Sequence, residues 1–96
     1  FRSNIYFNDN TVMSGNLNFE SLKRVDGGFY AVSCALSEAD VNYILHILAN
    51  LDGTNGTTLF DNRNVFLNGG TNASPTGQGL IDKQTLIDRG CNVLVN

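Results

Sequence analysis

The sequence has no tryptophan, a single proline, and only six lysine or arginine residues against nine aspartate or glutamate residues. The formal net charge is −3, and the few basic residues are scattered, so the chain lacks the basic patch that binds nucleic acid. No apolar run approaches the ~20 residues that cross a bilayer, and the first residues do not form a signal peptide. We therefore expect neither a nucleic-acid partner nor membrane insertion.

What the sequence does contain is enough for one domain. Its 96 residues are 42% hydrophobic, which predicts a single modest core. The chain begins at Phe1 and its only methionine is Met13, which predicts a processed product or a piece of a longer polypeptide. Fourteen asparagines indicate many turns, because this side chain bonds nearby backbone and tolerates left-handed conformations.

Two helices are predicted. In "SEADVNYILHILANLDG" Ser37 is a suitable N-cap. The apolar residues that follow recur at helical spacing and are Val41, Ile44, Leu45 and Leu48. In "SPTGQGLIDKQTLIDRG" Ser74 is a potential cap, Pro75 suits the first helical position, and two glycines delay the regular part to Gln78. The predicted buried side of this second helix comprises Leu80, Lys83, Leu86 and Ile87, while Asp82 is assigned to the solvated face.

Four short segments alternate apolar and polar residues and predict strands over 4–8, 29–34, 64–68 and 92–96. Aligning them places Ile5, Tyr30, Val65 and Val93 at equivalent positions, 25, 35 and 28 residues apart. Such separations exclude tight hairpins and favour parallel neighbours, which need crossovers of a dozen or more residues. The pattern predicts an α/β solenoid of about four rungs, with a small parallel sheet on one face and two helices on the other.

The repeated L-x-L-x-x-N pattern, followed by an irregular or helical limb, resembles a leucine-rich-repeat protein. Residues 37–96 are more specifically similar to the C-terminal end of leucine-rich-repeat-like proteins of bacteriophage virions, tail proteins especially, and of bacterial surface proteins. The stretches that carry this resemblance are "LSEADVNYIL", "TNGTT", "NGGTNASPTGQG", "DKQTLIDRG" and "CNVLVN". The chain departs from the family in a longer connection between Thr57 and Asn68, and in Cys91 where an aromatic residue is usual. The resemblance implies one domain over 1–96, with N-terminal rungs in 1–36 and a helix-strand-helix-strand cap in 37–96.

No catalytic, cofactor or metal site is predicted. The glycine-rich "GGTNASPTGQG" lacks the G-K-[ST] of a phosphate loop, so we interpret it as a solenoid corner in which Asn72 bonds its own backbone. His46, the only histidine, has neither metal-ligand spacing to a cysteine nor a local carboxylate to orient it, which predicts a surface or boundary residue. Cys34 and Cys91 fall two strand steps of ~4.8 Å apart, beyond the ~7 Å limit of a disulfide, so two free thiols are expected.

The resemblance implies a non-enzymatic structural or assembly module of a virion, phage tail or capsid-associated, that binds other virion or surface subunits, identical chains among them. An uncapped first rung and open sheet edges would expose surface for such contacts. The alternative is an adhesion or receptor-binding module for a host surface glycan or protein, located on the phage particle, on a bacterial surface or secreted. The predicted interaction residues are Ile5, Tyr6, Phe7, Tyr43, Asp52, Asp61, Val93 and Val95.

Overall fold

The structure, a computed structural model, describes residues 5–7 and 17–96. Their elements are β1 (Ile5–Tyr6), β2 (Phe29–Tyr30), α1 (Glu38–Ala49), β3 (Asn64–Leu67), α2 (Gln78–Asp88) and β4 (Asn92–Val95). The four strands form one parallel sheet in the order β1-β2-β3-β4. The predicted α/β class, parallel strand pairing and two helices are thus confirmed. The limb over 17–28 is irregular and contains no helix.

The register of β2 differs from the prediction by one residue. Phe29, not Tyr30, lies opposite Ile5 and Val65 in the sheet. Phe29 is buried and Tyr30 points to the other face. The error arises because "FYAVSC" is apolar or small at almost every position, so its alternation does not fix the phase. The alignment of Val65 with Val93 is confirmed.

Strand β2 is also shorter than the predicted 29–34. The chain turns directly after it, and Ser33 and Ala35 both have positive φ angles, of 56° and 53°. A left-handed backbone at these residues interrupts the extended conformation. Residues 4 and 8 of the first predicted strand lie outside the described residues.

Helix α1 forms as predicted, and its start is encoded locally. The Ser37 hydroxyl accepts a hydrogen bond from the Asp40 backbone N–H at 3.2 Å, and the Asp40 carboxylate accepts one from the Ser37 N–H at 3.1 Å. This reciprocal arrangement satisfies two backbone donors that a helix start otherwise leaves unpaired. All four predicted apolar positions are buried, namely Val41, Ile44, Leu45 and Leu48.

Helix α2 begins at Gln78, as the two glycines indicated, so Ser74 and Pro75 precede the helix rather than start it. Its predicted buried side is wrong except for Leu86. Leu80 is 51% exposed, and the residues that face α1 are instead Gly79 and Asp82. Lys83 is half-buried and Ile87 exposed. The cause is that α2 packs against a polar side of α1, formed by Asn42 and His46. Apolar side chains of α2 would gain no hydrophobic contacts there.

Gly79 lies so close to α1 that a Cβ atom there would overlap the Asn42 amide. In an open helix, alanine is favoured over glycine by about 1 kcal/mol. We expect Gly79→Ala to lower the free energy of unfolding instead, as measured by urea denaturation. In a double-mutant cycle, Asn42→Ala should recover part of the loss, because it removes the overlapping amide. Stabilisation by Gly79→Ala alone would contradict this packing.

One hydrophobic core fills the space between the inner face of the sheet and the two helices. Val65 and Leu67 of β3 are fully buried in it. Val93 and Val95 hold the equivalent positions on β4 but are only half-buried, because β4 is the last strand of the sheet. The core is therefore less completely covered at the β4 end.

A buried asparagine joins two successive turns of the chain. Asn72 was predicted to bond its own backbone, but its Oδ1 accepts hydrogen bonds from the N–H groups of Cys34 and Leu36, 2.9 and 3.0 Å away. Its Nδ2 donates to the carbonyls of Ala31 and Leu67 at 2.8 and 3.0 Å. The Asn72 amide thus connects three backbone groups of the segment after β2 to the carbonyl of the last residue of β3.

Candidate binding surface on the outer face of the sheet

The outer face of the sheet carries a row of large side chains, one from each strand. Register places Tyr6, Tyr30, Phe66 and Leu94 side by side across β1 to β4. The rings of Tyr6 and Tyr30 stack with centroids 4.7 Å apart, and Tyr30 meets Phe66 edge to face at 5.2 Å. Tyr6 is 61% and Leu94 41% exposed. We call these four residues the central row.

Asparagines border the central row. Asn64 and Asn92 are paired in register and exposed, and the Asn64 amide donates to the Tyr30 hydroxyl at 3.1 Å. In the sequence, three strand segments share an Asn-x-x-x-Asn frame, "NIYFN", "NVFLN" and "NVLVN". The segment that contains β2 lacks this frame and has Gly28 where the other three segments have their first asparagine. A Cβ at Gly28 would overlap the Tyr30 ring, so glycine makes room for this ring on the surface.

The central row combines flat apolar surface with amide donors and acceptors at its margin. The described outward positions of β1 to β4 carry no carboxylate and no cationic side chain. Such a surface can pack on apolar side chains or on the C–H face of a sugar ring, while the asparagines supply hydrogen bonds. It offers binding by shape and apolar contact rather than acid–base chemistry.

Of the residues predicted for interaction, Tyr6 alone belongs to the central row. Ile5 is buried, and Phe7 packs inside against Phe29, with ring centroids 5.8 Å apart. Val93 and Val95 face the core side of β4. Tyr43 is half-buried on α1.

The Tyr43 hydroxyl accepts a hydrogen bond from the Phe19 N–H at 2.7 Å, and the two rings stack. Tyr43 therefore holds the irregular limb against α1. Sequence reasoning missed Tyr30 because of the one-residue register error in β2. It missed Phe66 because only Val65 and Leu67 of β3 were aligned with the other strands. The alternation of strand side chains could have identified both residues, because Tyr30 follows the inward Phe29 and Phe66 follows the inward Val65.

Asp52 and Asp61 both lie in the connection between α1 and β3, and each contacts a residue two positions further along the chain. Asp52 Oδ1 accepts from the Thr54 N–H at 3.0 Å and from the Thr54 hydroxyl at 2.5 Å. Asp61 Oδ1 lies 3.3 Å from an Arg63 guanidinium nitrogen. Across the described ranges, no group of three or more histidine, cysteine, aspartate or glutamate side chains could hold a metal ion.

The hydrogen bonds from Thr54, first its hydroxyl and then its backbone N–H, lower the pKa of Asp52 below its ordinary value. We expect Thr54→Val to raise this pKa toward the ordinary value, measured by carboxyl ¹³C NMR titration. Thr57→Val is the matched control, because the Thr57 hydroxyl donates to the Thr54 carbonyl instead. Because the folded-state pKa is depressed, the linked stability is present above the unfolded-state pKa and is lost as pH falls through the folded-state value. Equal titration curves in all three proteins would refute this assignment.

His46 and Asp82 connect the two helices. His46 Nδ1 lies 3.1 Å from Asp82 Oδ2, and the Gln78 amide donates to Asp82 Oδ1 at 3.2 Å. His46 is half exposed, as predicted, but its carboxylate partner comes from α2, where sequence reasoning had placed Asp82 in solvent. The contact explains why an acid is buried on this helix: it pairs with the only histidine.

Cys34 and Cys91 are both buried and do not form a disulfide, which confirms the prediction that the two thiols are not bridged. The Cys34 thiol donates to the Phe7 carbonyl at 2.7 Å, so it belongs to the core rather than to a site beside His46. His46 and Asp82 link α1 to α2.

No known protein family, curated protein or solved structure matches this chain. Within the described part of the chain, neither helix is long and apolar enough to cross a membrane.

Proposed function

We propose that the chain is a leucine-rich-repeat-like solenoid that serves as a non-enzymatic assembly module and binds another protein through the central row. The single observation behind this proposal is the alignment of three aromatic residues and one leucine on the outer face of the sheet. Interfaces are enriched in aromatic residues and depleted in charged ones at their centres, with polar groups at the rim. The central row and its asparagine border have this composition.

The corrected register favours the solenoid interpretation. Phe29-x-Ala31-x-x-Cys34-x-Leu36 fits the repeat consensus L-x-L-x-x-[N/C]-x-L, and all four residues are fully buried. Cys34 and Asn72 each bond backbone of a neighbouring turn of the chain. Side-chain bonds between successive turns are what a stacked repeat needs, since each unit contacts only its neighbours.

The extent of the central row suits a protein partner. Four strands spaced by ~4.8 Å give a row about 14 Å long, which is comparable to the buried centre of a small interface. Rigid rings lose little conformational freedom on binding, and residues of this kind dominate binding energy. The proposed partners are other virion or surface subunits, identical chains included, and the proposed location is a phage particle; these two points rest on the motif resemblance alone.

Tyr6→Ser tests the proposal, with Ile81→Ser as its matched control. Tyr6 is 61% and Ile81 60% exposed, but Ile81 lies on α2, across the core from the central row. We expect Tyr6→Ser to weaken the complex by about tenfold or more, since a hot-spot truncation costs ~2 kcal/mol, and Ile81→Ser to leave it unchanged. The measurement is native mass spectrometry of gently extracted material, followed by titration of the purified partner. A monomer in that material, or equal losses for the two variants, would overturn the proposal.

A second candidate is adhesion to a host surface glycan. The observation that favours it is the exposed pair Asn64 and Asn92 beside the aromatic rings, because amides and stacked rings together recognise sugars. Binding on a glycan array that is lost in Tyr6→Ser and retained in Ile81→Ser would support this candidate. An array without binding, together with a protein complex, would leave the assembly function in place.

A further inference from the structure

The sequence contains two Asn-Gly pairs, Asn55-Gly56 and Asn68-Gly69. In such a pair the backbone nitrogen of glycine, once deprotonated, can attack the side-chain amide carbon of asparagine. The absence of a glycine side chain leaves this approach open. Whether the reaction occurs in a folded protein depends on the freedom of both groups, and the two pairs differ in this respect.

Asn55 and Gly56 occupy an exposed turn with a free amide. The Thr57 N–H donates to the Thr54 carbonyl at 2.8 Å, and Asn55 and Gly56 have φ angles of 49° and 79°. Positive φ at both central positions defines a type I′ turn. Among the described residues, nothing accepts a hydrogen bond from the Gly56 N–H and nothing holds the Asn55 amide. Apart from Gly56 itself and its two chain neighbours, no described heavy atom lies within 4 Å of the Cβ position of Gly56.

Asn68 and Gly69 are held by tertiary contacts. The Gly69 N–H donates to Asn96 Oδ1 at 2.9 Å, and the Asn96 amide donates back to the Gly69 carbonyl at 3.2 Å. Asn68 Oδ1 is buried, and the Cβ position of Gly69 lies 2.8 Å from the Ser33 hydroxyl oxygen. The nucleophile is therefore occupied, and the oxygen of the amide that it would attack is buried.

We propose that Asn55 is a site of spontaneous deamidation and that the fold protects Asn68 from the same reaction. Base removes the Gly56 N–H proton, and the nitrogen forms a bond to Asn55 Cγ. The side-chain nitrogen takes up a proton from the protonated base or from water and leaves as ammonia with the electron pair of the broken C–N bond, which yields a five-membered succinimide. Water then opens either carbonyl and produces aspartate or isoaspartate. Water is the only co-reactant, and no oxidant or reductant is required.

The product changes the charge of this loop. A neutral amide becomes a carboxylate three residues from Asp52, in a chain whose net charge is already −3. The isoaspartate form also diverts the backbone through the former side chain and lengthens the turn. The modified loop would therefore mark the age of each molecule, a property independent of the proposed binding function.

The experiment compares the two pairs within one protein. The purified chain is incubated at neutral and alkaline pH, with and without denaturing urea, and both sites are followed by peptide mass mapping and isoaspartate detection. In urea both pairs should react at similar rates. In the folded protein Asn55 should remain close to its urea rate, while Asn68 should be at least about tenfold slower, because a hydrogen-bonded segment reacts only through local opening. The Asn55 rate should rise with pH, since attack requires the deprotonated nitrogen.

Two variants separate the contributions of loop and fold. Gly56→Ala should slow reaction at residue 55 by adding a Cβ beside the nucleophile. Asn96→Ala should accelerate reaction at Asn68 by freeing the Gly69 N–H, with unchanged circular dichroism showing that the chain is still folded. If Asn96→Ala unfolds, the test rests on the wild-type protein, in which the rates at Asn55 and Asn68 are compared with and without urea. The proposal is overturned if folding protects Asn55 as strongly as Asn68, or if Asn68 reacts faster.

Discussion

Asn72→Ala is expected to destabilise the protein by on the order of 4 kcal/mol, because it leaves four buried backbone groups without a partner and each costs ~1–3 kcal/mol. The groups are the N–H of Cys34 and of Leu36 and the carbonyls of Ala31 and Leu67. A loss of this size is a large part of the ~5–15 kcal/mol that stabilises a typical domain. We therefore expect the urea midpoint to fall sharply, or the variant to be unfolded in buffer.

Asn64→Ala is the matched control for this experiment. It makes the same chemical change, but Asn64 is exposed and its amide forms one hydrogen bond, to the Tyr30 hydroxyl. Its free energy of unfolding should change by less than about 1 kcal/mol. Similar losses in the two variants would mean that Asn72 does not hold the turns together.

Phe60→Ala should have the next largest effect, a loss of about 3–5 kcal/mol in the free energy of unfolding. Phe60 lies in the connection that joins α1 to β3 and is completely buried, and its N–H donates to the Leu51 carbonyl at 2.8 Å. The Arg63 guanidinium lies over its ring, 5.6 Å from the centroid. Truncation removes apolar contacts, opens a cavity and leaves this cation without its aromatic partner.

Phe66→Ala provides the comparison within the same segment. Phe66 is half-buried on the outer face, where solvent can fill the space that truncation leaves. We expect a loss of about 1 kcal/mol or less in stability, but a clear loss of partner binding if the central row is the binding surface. A Phe66→Ala variant as unstable as Phe60→Ala would show that the outer face supports the fold.

Features that depend on neighbouring residues or on repeated strand patterns could be predicted from the sequence. Ser37 and Asp40 form a capping box that depends only on neighbouring residues, so α1 was predicted with its start and its buried face. The parallel sheet followed from the long separations between similar strands. Helix α2 was different, since its buried face depends on the polar residues of another helix, and a pattern that assumes an apolar partner selects the wrong side.

The candidate surface was only partly accessible to sequence reasoning. Tyr6 was identified as a contact residue, but Tyr30 and Phe66 became visible only when strand pairing fixed their direction. Two adjacent apolar residues in a short strand leave the inward and outward positions undecided. In β2 the choice between Phe29 and Tyr30 is made by the core, which accepts the ring without a hydroxyl.

The all-parallel sheet has a consequence for how the chain reaches its structure. Paired residues such as Ile5 and Phe29, or Phe29 and Val65, are far apart in the sequence, and none of the three pairings among the four described strands is a hairpin. Loop-closure entropy must be overcome before each pairing contributes, so chains of this topology fold slowly compared with helical bundles. We expect helix α1, whose start is encoded locally, to form before the strand pairs, each of which closes a long loop. During that interval the strand edges are unpaired, which makes the folding chain most vulnerable to aggregation before the last strand pairs.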